Sequence, residues 1–154
     1  MTGIIVLLVV LVAALVVGTL MRSRSGTVRA VAAEPGAAGV DPLLSALGIG
    51  AGPEPTVLHF SAPWCGPCSA VRRVVAQVIE NFAAAGDDLP LPRDVEVDLD
   101  ENPELARKLG VLSLPTTFLF DASGAERFRV SGVPNAADLT SALVPLRGPG
   151  DSLS

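Results

Sequence analysis

The chain has 154 residues and a formal net charge of −5, with 11 basic against 16 acidic side chains. That balance, with no lysine- or arginine-rich run, excludes an electrostatic nucleic-acid binder, and a composition rich in Ala, Val, Leu, Gly and Pro reads as one folded core with an appendage. Two cysteines in one Cys-X-X-Cys and a single histidine are too few for a disulfide framework or a one-chain zinc site, so the cysteines are redox-active or idle.

Met1 to Met21 carries no charged side chain, and Ile4 to Val17 is an almost unbroken aliphatic run. That approaches the ~20 residues that cross a hydrocarbon core, so residues 1–21 are expected to form one membrane-spanning helix. A cleaved signal peptide fits less well: no basic segment precedes the run, and the small-residue stretch Ala30-Val31-Ala32-Ala33 lies far beyond it. Arg22, Arg24 and Arg29 follow the span, and a basic flank tends to stay cytoplasmic. The expected topology is single-pass in the cell membrane with the soluble part in the cytoplasm, the extracytoplasmic arrangement being the alternative.

Residues 22–55 are rich in Gly, Ala, Pro and Ser, which suggests a linker. Within it residues 27–31 have strand composition, and Asp41-Pro42 ahead of Leu43, Leu44 and Leu47 reads as an N-capped short helix over 41–47. Thr56 to Ser61 is an apolar run suited to a buried strand. From Cys68 to about Ala85, Val71, Val74, Val75, Val78, Ile79 and Phe82 recur at helical spacing, and Gly86 ends the helix. Asp94 to Leu99 alternates as a strand does, and Asn102-Pro103 opens a helix to Leu109. Thr116 to Phe120 is a second buried strand, and Asp121-Ala-Ser-Gly124 turns the chain into Glu126 to Val130 as a hairpin. A last helix, capped by Asn135 or Asp138, runs through Leu143, and residues 147–154 read as a frayed polar tail. This order implies an α/β domain over 56–146, a mixed central sheet with helices on both faces.

Trp64-Cys65-Gly66-Pro67-Cys68 sits where the first buried strand gives way to the long helix. A thiolate at a helix start faces unpaired N–H groups and the positive end of the helix dipole, which favours the charged nucleophile near neutral pH. Cys65 is placed to be that thiolate. Cys68, one turn on, is placed to attack a mixed disulfide formed at Cys65 and release the reduced substrate. Pro67 suits the first helical turn, where its missing N–H costs little.

F-S-A-P-W-C-G-P-C, V-D-L-D-E-N-P-E-L-A-R-K-L-G-V and L-P-T-T-F-L-F, in that order, resemble the thioredoxin family over Thr56 to Leu146. The resemblance implies a thioredoxin-like fold and a thiol–disulfide oxidoreductase, with Cys65 attacking, Cys68 resolving and the pair cycling through a disulfide. It implies that Pro115 is a cis-proline abutting the cysteines and that Leu114 bonds an extended substrate backbone. Trp64, Gly66, Pro67 and Gly132 complete the implied substrate groove. A physical reason for Pro115 stands beside this: proline supplies no ladder N–H, so it leaves the strand end open for a substrate segment.

Departures from the family pattern concentrate near the cysteines. His59 stands where thioredoxins carry a buried acid, six residues before the first cysteine; on a strand it shares a face with Val57 and Ser61. Neutral His59 could accept the Cys68 proton through a water, whereas a protonated one would make the pair more oxidising; the plain alternative is a core histidine. Glu96 replaces a usual lysine, Ser61 an aromatic residue and Arg73 a frequent proline. The expected function is a membrane-tethered reductase of protein disulfides that needs no organic cofactor or metal, fed by a thioredoxin reductase or a membrane partner. The rivals are an extracytoplasmic oxidoreductase serving cytochrome maturation or disulfide handling, and a non-enzymatic adaptor.

Overall fold

The computed structural model describes residues 2–24, 26–31 and 40–148, with side chains for 3–19, 26–31 and 40–148. The elements in chain order are α1 (Thr2–Arg24), β1 (Val28–Ala30), α2 (Pro42–Ala46), β2 (Thr56–Ser61), α3 (Cys68–Ala85), β3 (Arg93–Asp98), α4 (Pro103–Lys108), β4 (Thr116–Phe120), β5 (Glu126–Ser131) and α5 (Ala136–Arg147). The five strands form one sheet in the order β1-β5-β4-β2-β3. Only β2 and β3 pair in parallel; the other neighbours are antiparallel. The long connection through α3 makes the parallel pair, as the right-handed crossover of a strand–helix–strand unit requires.

Alternation along β2 and β4 splits the core in two. Leu58, Phe60, Phe118 and Phe120 face Leu44, Ile49, Leu105 and Ala106 on one side of the sheet. Val57 and Leu119 face Val71, Val75, Val78 and Phe82 of α3 and Leu139, Ala142 and Leu143 of α5 on the other. Both central strands are buried throughout, which explains why they read as continuous apolar runs rather than alternating ones. The expected mixed sheet, covered on both faces, is the fold observed.

Several boundaries differ from the sequence reading. The strand and the N-capped short helix expected within 22–55 are found as β1 and α2, but the domain takes in residues ahead of Thr56, because β1 pairs with β5 and the side chains of Leu44 and Ile49 are buried in the core. β3 begins at Arg93 and stops at Asp98. Asn135, not Asp138, caps α5, accepting from the Ala137 N–H at 2.8 Å. α5 continues past Leu143 and through Pro145 to Arg147.

Arg147, expected to open the frayed tail, is instead 3 % exposed. Its guanidinium lies 4.2 Å from the centre of the Phe82 ring, donates to the carbonyls of Leu89 and Pro90 and forms a two-pronged pair with Asp87. That guanidinium holds the Asp87 carboxyl below the usual carboxylate range. The last helical turn is thus tied to the loop that follows α3, which offsets the hydrogen bond lost at Pro145. The rest of the expected tail, 149–154, lies outside the described residues, as do 32–39 of the linker, Met1 and Ser25.

Every described side chain of α1, residues 3–19, is exposed. Those 17 positions cover about 26 Å of helix, and among the described residues no helix is long and apolar enough to cross a membrane. The span expected over 1–21 is therefore not shown by the structure.

Candidate functional site

Cys65 and Cys68 form a disulfide with a Cα–Cα separation of 5.6 Å. Local hydrogen bonds set this turn: the Cys65 N–H donates to Ala62 O at 3.0 Å and the Cys68 N–H to Cys65 O at 3.3 Å. Pro67 has helical angles and α3 starts immediately after it, with no side-chain cap and no acid in the first turn. The positive end of α3 is therefore left to act on Cys65, favouring its thiolate once the disulfide opens.

The two sulfurs are not equivalent. Cys68 is buried, 1 % exposed, with Sγ 3.8 Å from Phe60 O, whereas Cys65 is only partly buried. Of the two sulfurs, Cys65 is the one open to a bulky substrate disulfide, an asymmetry that suits Cys65 to attack and Cys68 to resolve. Trp64 stands beside Cys65, 67 % exposed, its Nε1–H donating to Asp100 Oδ2 at 3.0 Å. Gly66 and Pro67 are exposed on the same turn.

The Leu114–Pro115 peptide is cis. The Gly132 N–H donates to Pro115 O at 2.8 Å, and Gly132 has φ +90°, a left-handed conformation that other residues adopt only with strain. Thr116, the first residue of β4, registers with Phe60 on one side and Ser131 on the other. Pro115, Gly132 and the end of β2 that carries the cysteine turn therefore share one end of the sheet. The sequence-predicted groove residues Trp64, Gly66, Pro67, Leu114, Pro115 and Gly132 lie on segments that meet at that end.

His59 is 1 % exposed, on the β2 face shared with Val57, beneath α3. It makes no hydrogen bond to Cys68. Its Nε2 is 3.0 Å from Asp94 Oδ1, an ion-pair distance, yet the approach lies off the N–H direction and neither ring nitrogen has a hydrogen-bond partner among the protein groups described. The angular criterion decides, because hydrogen bonds weaken steeply off axis. Opposite His59 in register are Glu96 on β3 and Thr117 on β4, and the Thr117 hydroxyl is likewise buried without a protein partner. Arg72, one turn after Cys68, donates from Nε to both Glu96 oxygens at 2.9 and 2.8 Å. That guanidinium holds the Glu96 carboxyl below its usual range against the opposing effect of burial, with Ser61 and His59 acting in the same lowering direction.

Sequence reasoning missed Asp94 and Thr117 as neighbours of His59 and Arg72 as the partner of Glu96. The first two are strand positions whose register is set by pairing, and Arg72 was legible only as an exposed position one turn beyond Cys68. Among the described residues no cluster of His, Cys, Asp and Glu could hold a metal ion.

A model of the thioredoxin family matches residues 49–144. A thioredoxin of Mycolicibacterium smegmatis is 41% identical over 87 residues, covering 56% of this chain and 72% of that protein. A thioredoxin of Streptomyces clavuligerus is 33% identical over 92 residues, 60% of this chain and 79% of its own. Among solved structures, chloroplastic thioredoxin z superposes with a TM-score of 0.54 at 27% identity, covering 68% of this chain and 88% of its own. Mitochondrial thioredoxin 3 from Saccharomyces cerevisiae, in its oxidised form, gives 0.53 at 25% identity, over 66% and 87%.

Proposed function

The chain belongs to the thioredoxin family, and from that premise we propose that this thiol–disulfide oxidoreductase is a membrane-tethered reductase of protein disulfides whose redox domain faces the cytoplasm. The observation that carries the reductase reading is the asymmetric pair, accessible Cys65 over buried Cys68, beside the Pro115 strand end. In the reaction the Cys65 thiolate attacks one sulfur of the substrate disulfide and the other sulfur leaves as a thiolate that takes up a proton. Cys68 loses its proton and attacks Cys65 Sγ in the mixed disulfide, so that the second substrate sulfur leaves as a thiolate and takes up a proton. Two electrons pass to the substrate, which ends as a dithiol, and this chain ends with the Cys65–Cys68 disulfide. A reductant, a thioredoxin reductase or a membrane partner, returns the pair to dithiol.

The tether reading is supported by α1, 23 residues long and so about 34 Å, with its described side chains exposed and almost wholly aliphatic. Among the described residues nothing covers the side chains of positions 3–19, and a bilayer would. Arg22 and Arg24 at the C-terminal end of α1 and Arg29 after it favour a cytoplasmic domain. Labelling of Cys65 in cells by a membrane-impermeant thiol reagent, after mild reduction, is expected only once the cells are permeabilised. Labelling in intact cells would reverse the orientation and make the extracytoplasmic oxidoreductase the better reading.

In this reading His59 takes the Cys68 proton as the mixed disulfide resolves. Support comes from its burial on the face beneath α3 and from ring nitrogens with no protein hydrogen bond to satisfy them. His59→Ala is expected to slow resolution by about tenfold or more and to change the pH profile of reduction, measured by single-turnover alkylation. An unchanged profile would leave His59 a packing residue.

A further inference from the structure

We propose that the disulfide this chain reduces belongs to a membrane protein and lies at the bilayer surface; the proposal rests on the tethered-reductase reading. The argument starts at the junction between α1 and the domain. α1 ends at Arg24, and Gly26 is already part of the fold: its N–H donates to Ser131 O at 2.7 Å. Gly26 has φ +86°, and a Cβ there would collide with the Val133 carbonyl oxygen, so the chain is pressed against the 131–133 segment at a point only glycine fits. One residue separates Arg24 from Gly26, which keeps their Cα atoms within about 7.6 Å. The domain has no stalk.

The junction lies at the redox end of the sheet. Gly26 bonds to Ser131; Ser131 registers with Thr116, and Thr116 with Phe60. Phe60 O is in contact with Cys68 Sγ, and Gly132 bonds to Pro115. The path from β1 across β5 and β4 to β2 is three strand spacings, about 14 Å. The β4–β5 turn around Asp121–Gly124, by contrast, is at the far end. With Arg24 at the headgroups, Cys65 is held about 20 Å from them, on the end of the domain where the chain leaves the bilayer.

Soluble globular substrates would have to enter the gap between that end and the headgroups, whereas a membrane protein presents its loops there. Two large apolar side chains stand open on the redox end, Trp64 and, three residues before Pro115, Leu112 at 97 % exposure. Both suit an apolar partner surface.

The full chain, pre-reduced and reconstituted in phosphatidylcholine–phosphatidylglycerol vesicles, tests this against two probes. Each probe is a transmembrane peptide carrying one disulfide-closed loop, either at its membrane exit or beyond a 40-residue Glu-Ala-Ala-Ala-Lys helix, about 60 Å out. The surface probe should be reduced about tenfold faster than the raised one, since tethering favours the site held at matching height. Inserting 50 Gly/Ser residues between Arg24 and Gly26, an r.m.s. reach of about 39 Å, should bring the two rates within about twofold. Equal rates in the unmodified chain, or a preference the insertion does not move, would overturn the proposal. Flotation of the same vesicles separates the two failures: a chain that does not float with lipid loses the tether and this proposal together, while one that floats yet shows no preference loses this proposal alone.

Discussion

Replacing Cys65 with serine is expected to remove insulin-disulfide reduction, a loss of about a thousandfold, or ~4 kcal/mol of barrier. Cys65 is the sulfur a substrate can reach, and it alone sits ahead of the uncapped α3 terminus; a serine hydroxyl is not ionised there and cannot open a disulfide. Cys68→Ser should behave differently, because attack at Cys65 survives and only release is lost. That variant is expected to accumulate a substrate-linked species on a non-reducing gel, stoichiometric with protein, and to turn over no further. Activity retained in Cys65→Ser would place the chemistry elsewhere. An unmodified chain that reduces nothing would favour the adaptor reading, in which the cysteines seldom cycle.

Phe118→Ala is expected to destabilise the domain by about 3–5 kcal/mol, a large share of the ~5–15 kcal/mol that holds such a fold together. Phe118 is fully buried at the centre of β4. Its ring meets Phe60 edge-on at 5.9 Å and 76° and stacks with Phe120 at 6.3 Å. The Arg129 guanidinium covers it at 4.6 Å. Removing the ring deletes contacts on both sides at once and leaves neighbours from three strands unsupported. Urea unfolding in detergent would register the change as a lower midpoint at constant slope. Phe118→Leu, which keeps more of the volume, should cost clearly less; equal costs for the two would mean that the ring's own contacts with Phe60, Phe120 and Arg129, and not the space it fills, set the penalty.

Where local pattern and tertiary demand coincide, the residues were legible. Thr56–Ser61, Cys68–Ala85 and Thr116–Phe120 match their expected limits because each is bounded by a turn signal and has a strong apolar period. The cysteine turn and Pro115 were legible for a different reason, since their residue types are restrictive in themselves. Arg147 was not: a lone arginine beside Pro145 and Gly148 looks like the start of a tail, and its burial depends on a ring and two carbonyls some sixty residues away. Gly26 likewise gives no local sign that it must fit against Val133. The surroundings of His59 follow from strand register, which pairs it with Glu96 and Thr117; register emerges only when the sheet is assembled.

The sheet's two open edges bear on solubility. Unpaired strand edges template intermolecular pairing, and confinement to a surface multiplies encounters between copies. One edge here, β1, is three residues long, too short to seed a stable ladder. The other, β3, reads R-D-V-E-V-D. Bringing two such edges together sets rows of carboxylates a few ångströms apart, and like charges directly opposite one another repel. The acidic outer member of the parallel pair thereby discourages polymerisation.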